Sequence, residues 1–90
     1  MSVSVIIPTP LRAFADGARD VHLDADTIAD ALDALTARYP KLRAQLFAGD
    51  VLRPFVNVFR NEENMREVGG GTAPLRAGDT LSIIPSIAGG

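Results

Sequence analysis

Few side chains in this sequence are equipped for covalent or metal chemistry. There is one histidine, His22, and no cysteine. A thiolate nucleophile, a disulfide framework, thiolate metal ligation and a multi-histidine metal site are therefore excluded. Asp24 with Asp26, and Glu62 with Glu63, are carboxylate pairs of the kind that take a cation, but neither lies in a recognisable cation loop. Both read as solvated charge, and no metal site is expected. The run Gly69-Gly70-Gly71 offers backbone N–H groups that can cradle an anion. No lysine or Ser/Thr follows at the spacing of a nucleotide-binding loop and no helix begins there, so the run reads as a flexible link.

The remaining chemistry lies in the last two residues, Gly89-Gly90. Beyond Pro85 the stretch Ser86-Ile87-Ala88-Gly89-Gly90 carries no charged side chain, and its side chains dwindle to nothing. Fully extended, five residues reach about 17 Å. Two residues without Cβ can enter a slot too narrow for side chains and present a carboxylate at their end. That carboxylate, with an ordinary pKa of about 3.3–3.7, is ionised at neutral pH and a poor electrophile until it is activated.

Such a tail needs a platform. Ser2 to Ile7 alternates, with Val3, Val5 and Ile7 on one face, and reads as a strand ended by Pro8 and Pro10. Asp16-Gly17 marks a turn, after which Arg19 to Asp24 alternates again, predicting a hairpin with the first strand. Asp26 or Thr27 caps a helix carrying Ile28, Leu32, Leu35 and Tyr39 as its apolar stripe, which Pro40 stops. Lys41 to Phe47 has room for one further turn. Phe55 to Arg60 is a strand, Met65 to Val68 a candidate short returning strand, and Thr80 to Pro85 the last strand.

One helix cannot cover both faces of a sheet, so one face stays partly solvated. The most apolar strands, first and last, belong at the centre, and their long connection permits parallel pairing. The predicted architecture is α+β: a mixed four- to five-stranded sheet rolled around one main helix, of the β-grasp kind. Residues 1–85 form the domain and residues 86–90 a flexible tail. The exposed face carries either Phe55 and Phe59 or Val56 and Val58, beside Ile84, with Arg60 and Arg66 at its flanks. An apolar patch on a solvated face marks a partner-binding surface.

The overall composition fits a single folded unit. Ninety residues, 47% apolar and 22% charged, suit one ordinary domain burying roughly 60–65% of its unfolded surface. A net charge of -2 supplies no electrostatic reason for a nucleic-acid or anionic-membrane partner. Met1 to Ile7 lacks a basic n-region and is too short for a signal h-region or a membrane span. The expected location is cytoplasmic.

Several stretches together resemble the ubiquitin-like sulfur carriers of the MoaD/ThiS family. They are Gly78 to Pro85 (Gly-Asp-Thr-Leu-Ser-Ile-Ile-Pro), ending five residues before Gly90 of the final Gly-Gly, Val56 to Glu63 (Val-Asn-Val-Phe-Arg-Asn-Glu-Glu), and Ile7 to Arg12 (Ile-Pro-Thr-Pro-Leu-Arg). The latter two and Ala88-Gly89-Gly90 are most similar to the CysO-type branch, whose thiocarboxylate feeds cysteine synthesis. The resemblance implies a β-grasp fold and a protein that is not itself an enzyme and binds no cofactor. An ATP-dependent activating enzyme would adenylate Gly90, and a sulfur donor would convert it to a thiocarboxylate. Gly90 is then the reacting residue, Gly89 gives access, and Ile87 and Ala88 thread the tail. The sulfur acceptor would be a partner synthase, cysteine synthase-like or the large subunit of molybdopterin synthase. The same resemblance leaves open a thiamine-pathway carrier, a molybdopterin synthase small subunit, and a modifier joined to lysines through Gly90.

Overall fold

The computed structural model describes residues 2–85. The expected tail, with Ile87, Ala88, Gly89 and Gly90, lies outside the described residues. β1 (Ser2–Ile6) keeps its alternation, burying Val3 and Val5 and exposing Ser2 and Ile6. β2 (Asp20–Asp24) pairs with it antiparallel, Val21 facing Val5 and Leu23 facing Val3. Between them the chain makes a 3₁₀ segment, Thr9–Ala15, that ends on Asp16 (φ +53°) and Gly17 (φ +82°). Aspartate and glycine are the residues that tolerate left-handed backbone there, as the Asp-Gly signal anticipated.

Helix α1 (Ile28–Arg38) starts at Thr27, whose Oγ1 accepts the backbone N–H of Asp30 at 3.2 Å. Ile28, Ala31, Leu32 and Leu35 are buried along its inner stripe, one apolar face at helical spacing. Pro40 ends this helix and also begins the next. α2 (Pro40–Leu46) runs for seven residues, longer than the single turn expected. A proline at the first helical position costs no hydrogen bond, because its missing N–H would be unpaired there anyway. Leu42 and Leu46 anchor α2 in the core, and it packs against the Thr9–Ala15 turn.

The short strands β3 (Phe47–Ala48) and β4 (Val51–Leu52) form a hairpin beside α2. Arg43 ties this hairpin down. Its guanidinium stacks over Phe47 at 4.4 Å from the ring centre, donates to Thr36 Oγ1 at 3.2 Å, and lies 3.6 Å from Asp50 Oδ1.

β5 (Val56–Arg60), β6 (Glu63–Asn64) and β7 (Thr80–Pro85) complete a five-stranded sheet in the order β2-β1-β7-β5-β6. β7 is central, parallel to β1 (Val5 opposite Leu81) and antiparallel to β5 (Val58 opposite Ile83). The returning strand is Glu63–Asn64, two residues earlier than the sequence suggests. Met65–Glu67 is a 3₁₀ turn capped by the Asn64 side chain, which accepts from Arg66 N at 2.9 Å.

The triple glycine is also more than a link. Gly70–Thr72 forms a 3₁₀ turn against α1, and a Cβ on Gly71 would lie 3.1 Å from the Ala29 methyl. A side chain there would crowd the helix, so the close approach favours glycine. The core lies between this helical layer and the inner sheet face, where Ile7, Val56, Val58 and Leu81 are fully buried and Ile83 nearly so.

Candidate functional site

The outer face of the sheet is the place where the expected site residues are tested. Along β5, Val56 and Val58 are fully buried, so alternation turns Asn57 and Phe59 outward. Pairing sets Phe59 beside Ser82 of β7, and Ser82 beside Ile6 of β1; Asn57 faces Ile84. The apolar side chains on this face are Ile84 (49% exposed), Phe55 (40%), Ile6 (36%) and the half-buried Phe59. Of the two faces open in the sequence, the Phe55 and Phe59 face is the solvated one. Ile6 was missed by the sequence reading. Its signal was present: with Val3, Val5 and Ile7 inward, Ile6 must point outward.

The two arginines part company. Arg66 stands at the start of β5, where its Nη1 donates to Asn57 Oδ1 at 2.8 Å and its Nη2 to the carbonyls of Val56 and Pro54 at 3.1 and 3.3 Å. It thereby caps the strand edge that β6 leaves uncovered, close to Pro85, which is paired with Val56. Arg60 does not flank the patch as the sequence suggested. Two residues beyond Val58, it belongs to the inner side of β5. There it donates to Pro74 O and to Glu63 Oε1, both at 2.9 Å, in a cleft of about 480 Å³ that also holds Arg76 and Asp79.

β7 is the last described strand, and its Thr80 end is clamped. Asp79 accepts the Arg76 backbone N–H at 2.8 Å and the Asn61 side-chain amide at 3.1 Å, while Asn61 Oδ1 accepts from Thr80 N at 3.1 Å. The Arg76 N–H first, then the Asn61 amide, hold the Asp79 carboxyl below its ordinary value of 3.8, since both bonds favour the charged form. This clamp sets the register of β7 between β1 and β5. At the other end Pro85, which has no N–H to donate, closes the ladder. Because β1 and β7 are parallel, Pro85 leaves at the end of the sheet where β1 hands over to the Thr9–Ala15 turn, the end on which α2 also packs.

His22 is exposed, with its Nδ1 3.2 Å from Ser4 Oγ on the polar β1–β2 part of the outer face. No group of three potential metal ligands occurs among the described residues. No helix among them is long and apolar enough to cross a membrane. The arrangement offers a partly apolar sheet face beside the Pro85 end of a central strand.

A mixed sheet with parallel first and last strands, wrapped on one face around a helix, defines a β-grasp domain of the ubiquitin-like class. The model of the ThiS family matches residues 5–90. The chain belongs to that family of ubiquitin-like sulfur carriers. It is 34% identical to the sulfur carrier protein CysO of Mycobacterium tuberculosis over 93 aligned residues, covering 100% of both chains. It is 40% identical to small archaeal modifier protein 1 of Haloferax volcanii over 88 residues, covering 88% of this chain and 97% of that one. Among solved structures, a chain in the crystal structure of the Amycolatopsis orientalis BexX/CysO complex superposes with a TM-score of 0.89. The two are 38% identical, with 98% and 99% of the chains covered.

Proposed function

We propose that this protein carries sulfur on the carbonyl carbon of Gly90 and delivers it to a biosynthetic acceptor, with cysteine formation the favoured pathway. The observation that carries the reading is positional. The central strand of the sheet leads straight into the small-residue stretch Ser86 to Gly90, and an apolar face flanks the exit. The end-to-end similarity to CysO supports it.

An ATP-dependent activating enzyme docks on Ile6, Phe55, Phe59 and Ile84 while Gly89 and Gly90 enter its active site, with Ile87 and Ala88 along the channel. The Gly90 carboxylate attacks the α-phosphorus of ATP, pyrophosphate leaves, and the acyl adenylate forms. A sulfur nucleophile then displaces AMP. The thiocarboxylate that results attacks an activated carbon held by a partner synthase. The protein acts throughout as a cosubstrate, and the catalytic groups belong to its partners. That an Amycolatopsis orientalis relative is found in a complex with BexX supports partner docking.

The test is incubation with ATP, a purified activating enzyme and a sulfide source, followed by mass measurement of the C-terminal peptide. Replacement of one oxygen by sulfur is expected, and deletion of Gly90 abolishes it. An unchanged peptide mass from an enzyme competent on another carrier overturns the reading. Similarity to small archaeal modifier protein 1 favours a second use of the same end, attachment through Gly90 to amines of other proteins. That use would leave branched peptides bearing Gly-Gly in native cells.

A further inference from the structure

Of the nine Lys plus Arg residues, eight are arginine, and Lys41 is the only lysine in the sequence. This asymmetry has chemical content for a chain whose C-terminus is turned into an electrophile. A guanidinium stays protonated at any physiological pH and does not attack acyl groups, whereas an ammonium that loses its proton becomes a nucleophilic amine. Arg66, beside the strand end at Pro85, is held in hydrogen bonds to Asn57 and Val56, Arg53 donates to Ala44 O, and Arg60, at the opposite end of β7, donates to Pro74 O. They supply positive charge without supplying an amine.

Lys41 differs in every respect. It is exposed, as the second residue of α2, and no ion pair or hydrogen bond holds its ammonium among the described residues. α2 packs on the Thr9–Ala15 turn, at the end of the sheet from which β7 leaves. The single side-chain amine therefore stands on the helix that packs against the turn following β1, and β1 ends at the same end of the sheet as β7.

We propose that Lys41 is the acceptor for the activated Gly90 of a second copy of this chain, which deepens the function proposed above and rests on it. The amine proposed to meet it belongs to another copy, so the product has two chain masses and is distinguished from closure within one chain. Lys41 Nζ, after releasing a proton to water, attacks the Gly90 carbonyl carbon of the acyl adenylate. The bond from that carbon to the phosphate oxygen breaks, AMP leaves with the electron pair, and the new amide nitrogen loses its second proton. With one donor end and one lysine per chain, products joined through Lys41 are linear and of a single linkage, which peptide analysis distinguishes from attachment at the α-amine. Sulfur supply decides between the two fates, because a sulfur nucleophile competes with Lys41 for the same adenylate.

The experiment compares the wild-type chain with Lys41→Arg, each incubated with the activating enzyme and Mg-ATP, with and without sulfide. ATP–pyrophosphate exchange reports adenylation, and intact-mass and peptide analysis report the products. Wild type without sulfide is expected to yield a species of two chain masses less one water, branched at Lys41, suppressed at least tenfold by sulfide. Lys41→Arg is expected to lose that species at least tenfold while exchange stays within about twofold. The proposal is overturned if exchange runs in wild type and no such species forms, if it forms equally from Lys41→Arg, or if the product is a monomer less one water. Absence of exchange altogether overturns the carrier reading and this inference with it.

Discussion

Neighbouring residues on β7 separate what holds the fold from what docks. Ile83 is 2% exposed and Ile84 is 49% exposed, because successive side chains of a strand point to opposite faces. Truncating each to alanine removes the same atoms from opposite surroundings. At Ile83 the loss includes the transfer free energy and the cavity left in the core beside its strand partner Val58, about 2–5 kcal/mol. A 90-residue domain has a total stability of roughly 5–13 kcal/mol, so Ile83→Ala lowers Tm by at least about 8 °C. At Ile84 half the side chain is already in water and no cavity forms, so the cost is at most about 1 kcal/mol and Tm falls by less than about 8 °C. The same truncation removes an apolar contact at the centre of the proposed docking face, where an anchor residue contributes about 1–2 kcal/mol. That corresponds to a 5- to 30-fold rise in the concentration needed for half-maximal adenylation. Thermal unfolding and ATP–pyrophosphate exchange, run on the same two variants, measure both quantities. Ile84→Ala melting as early as Ile83→Ala, or Ile84→Ala being adenylated at the wild-type concentration, would refute the assignment of faces.

Further outcomes follow from other contacts. Gly71→Ala brings a methyl to 3.1 Å from the Ala29 Cβ and should destabilise by about 1–3 kcal/mol through overpacking, read as a lower urea midpoint with an unchanged slope. Asp79 has a depressed carboxyl in the fold, so its ionised form favours the folded state. That contribution is complete above 3.8, the ordinary value, and is lost as pH falls through the lower folded value. Asp79→Ala should therefore be less stable than wild type at neutral pH and should lose less stability between pH 4 and 2 in acid titrations followed by circular dichroism.

Most of the architecture was legible because burial and period coincide. Val3, Val5 and Ile7, and likewise Leu81 and Ile83, sit at strand spacing, and Ile28, Leu32 and Leu35 at helical spacing. Parallel pairing of the first and last strands followed from their apolarity and the length of chain between them. The Phe55–Arg60 stretch was ambiguous for a physical reason: both of its faces are apolar, and only pairing with β7 decides which one is covered. Arg60 was misplaced because its long side chain reads as solvated charge, whereas the fold draws it inward to Pro74 O and Glu63. Met65 to Val68 misled because a buried Met65 and half-buried Val68 fit a three-residue turn as well as a strand. The clue was Asn64, a residue that caps turns with its side chain. Of the candidate site, the composition of Ser86 to Gly90 and the apolar residues Phe55, Phe59 and Ile84 were readable. The hydrogen bonds that occupy Arg60 and Arg66 were not, since they join segments distant in sequence.

The central place of β7 also bears on how the molecule is made. The strand that joins the β1–β2 half of the sheet to the β5–β6 half is residues 80–85, which leave the ribosome after every other strand. At synthesis rates of about 5–20 residues per second, those six residues take less than about two seconds. Until they emerge, β1 and β5 have no common neighbour and the sheet cannot close. A nascent chain cut short before β7 lacks Ile84 and the strand that sets Ile6 and Phe59 on one face. The proposed docking surface is therefore assembled only when the sheet closes.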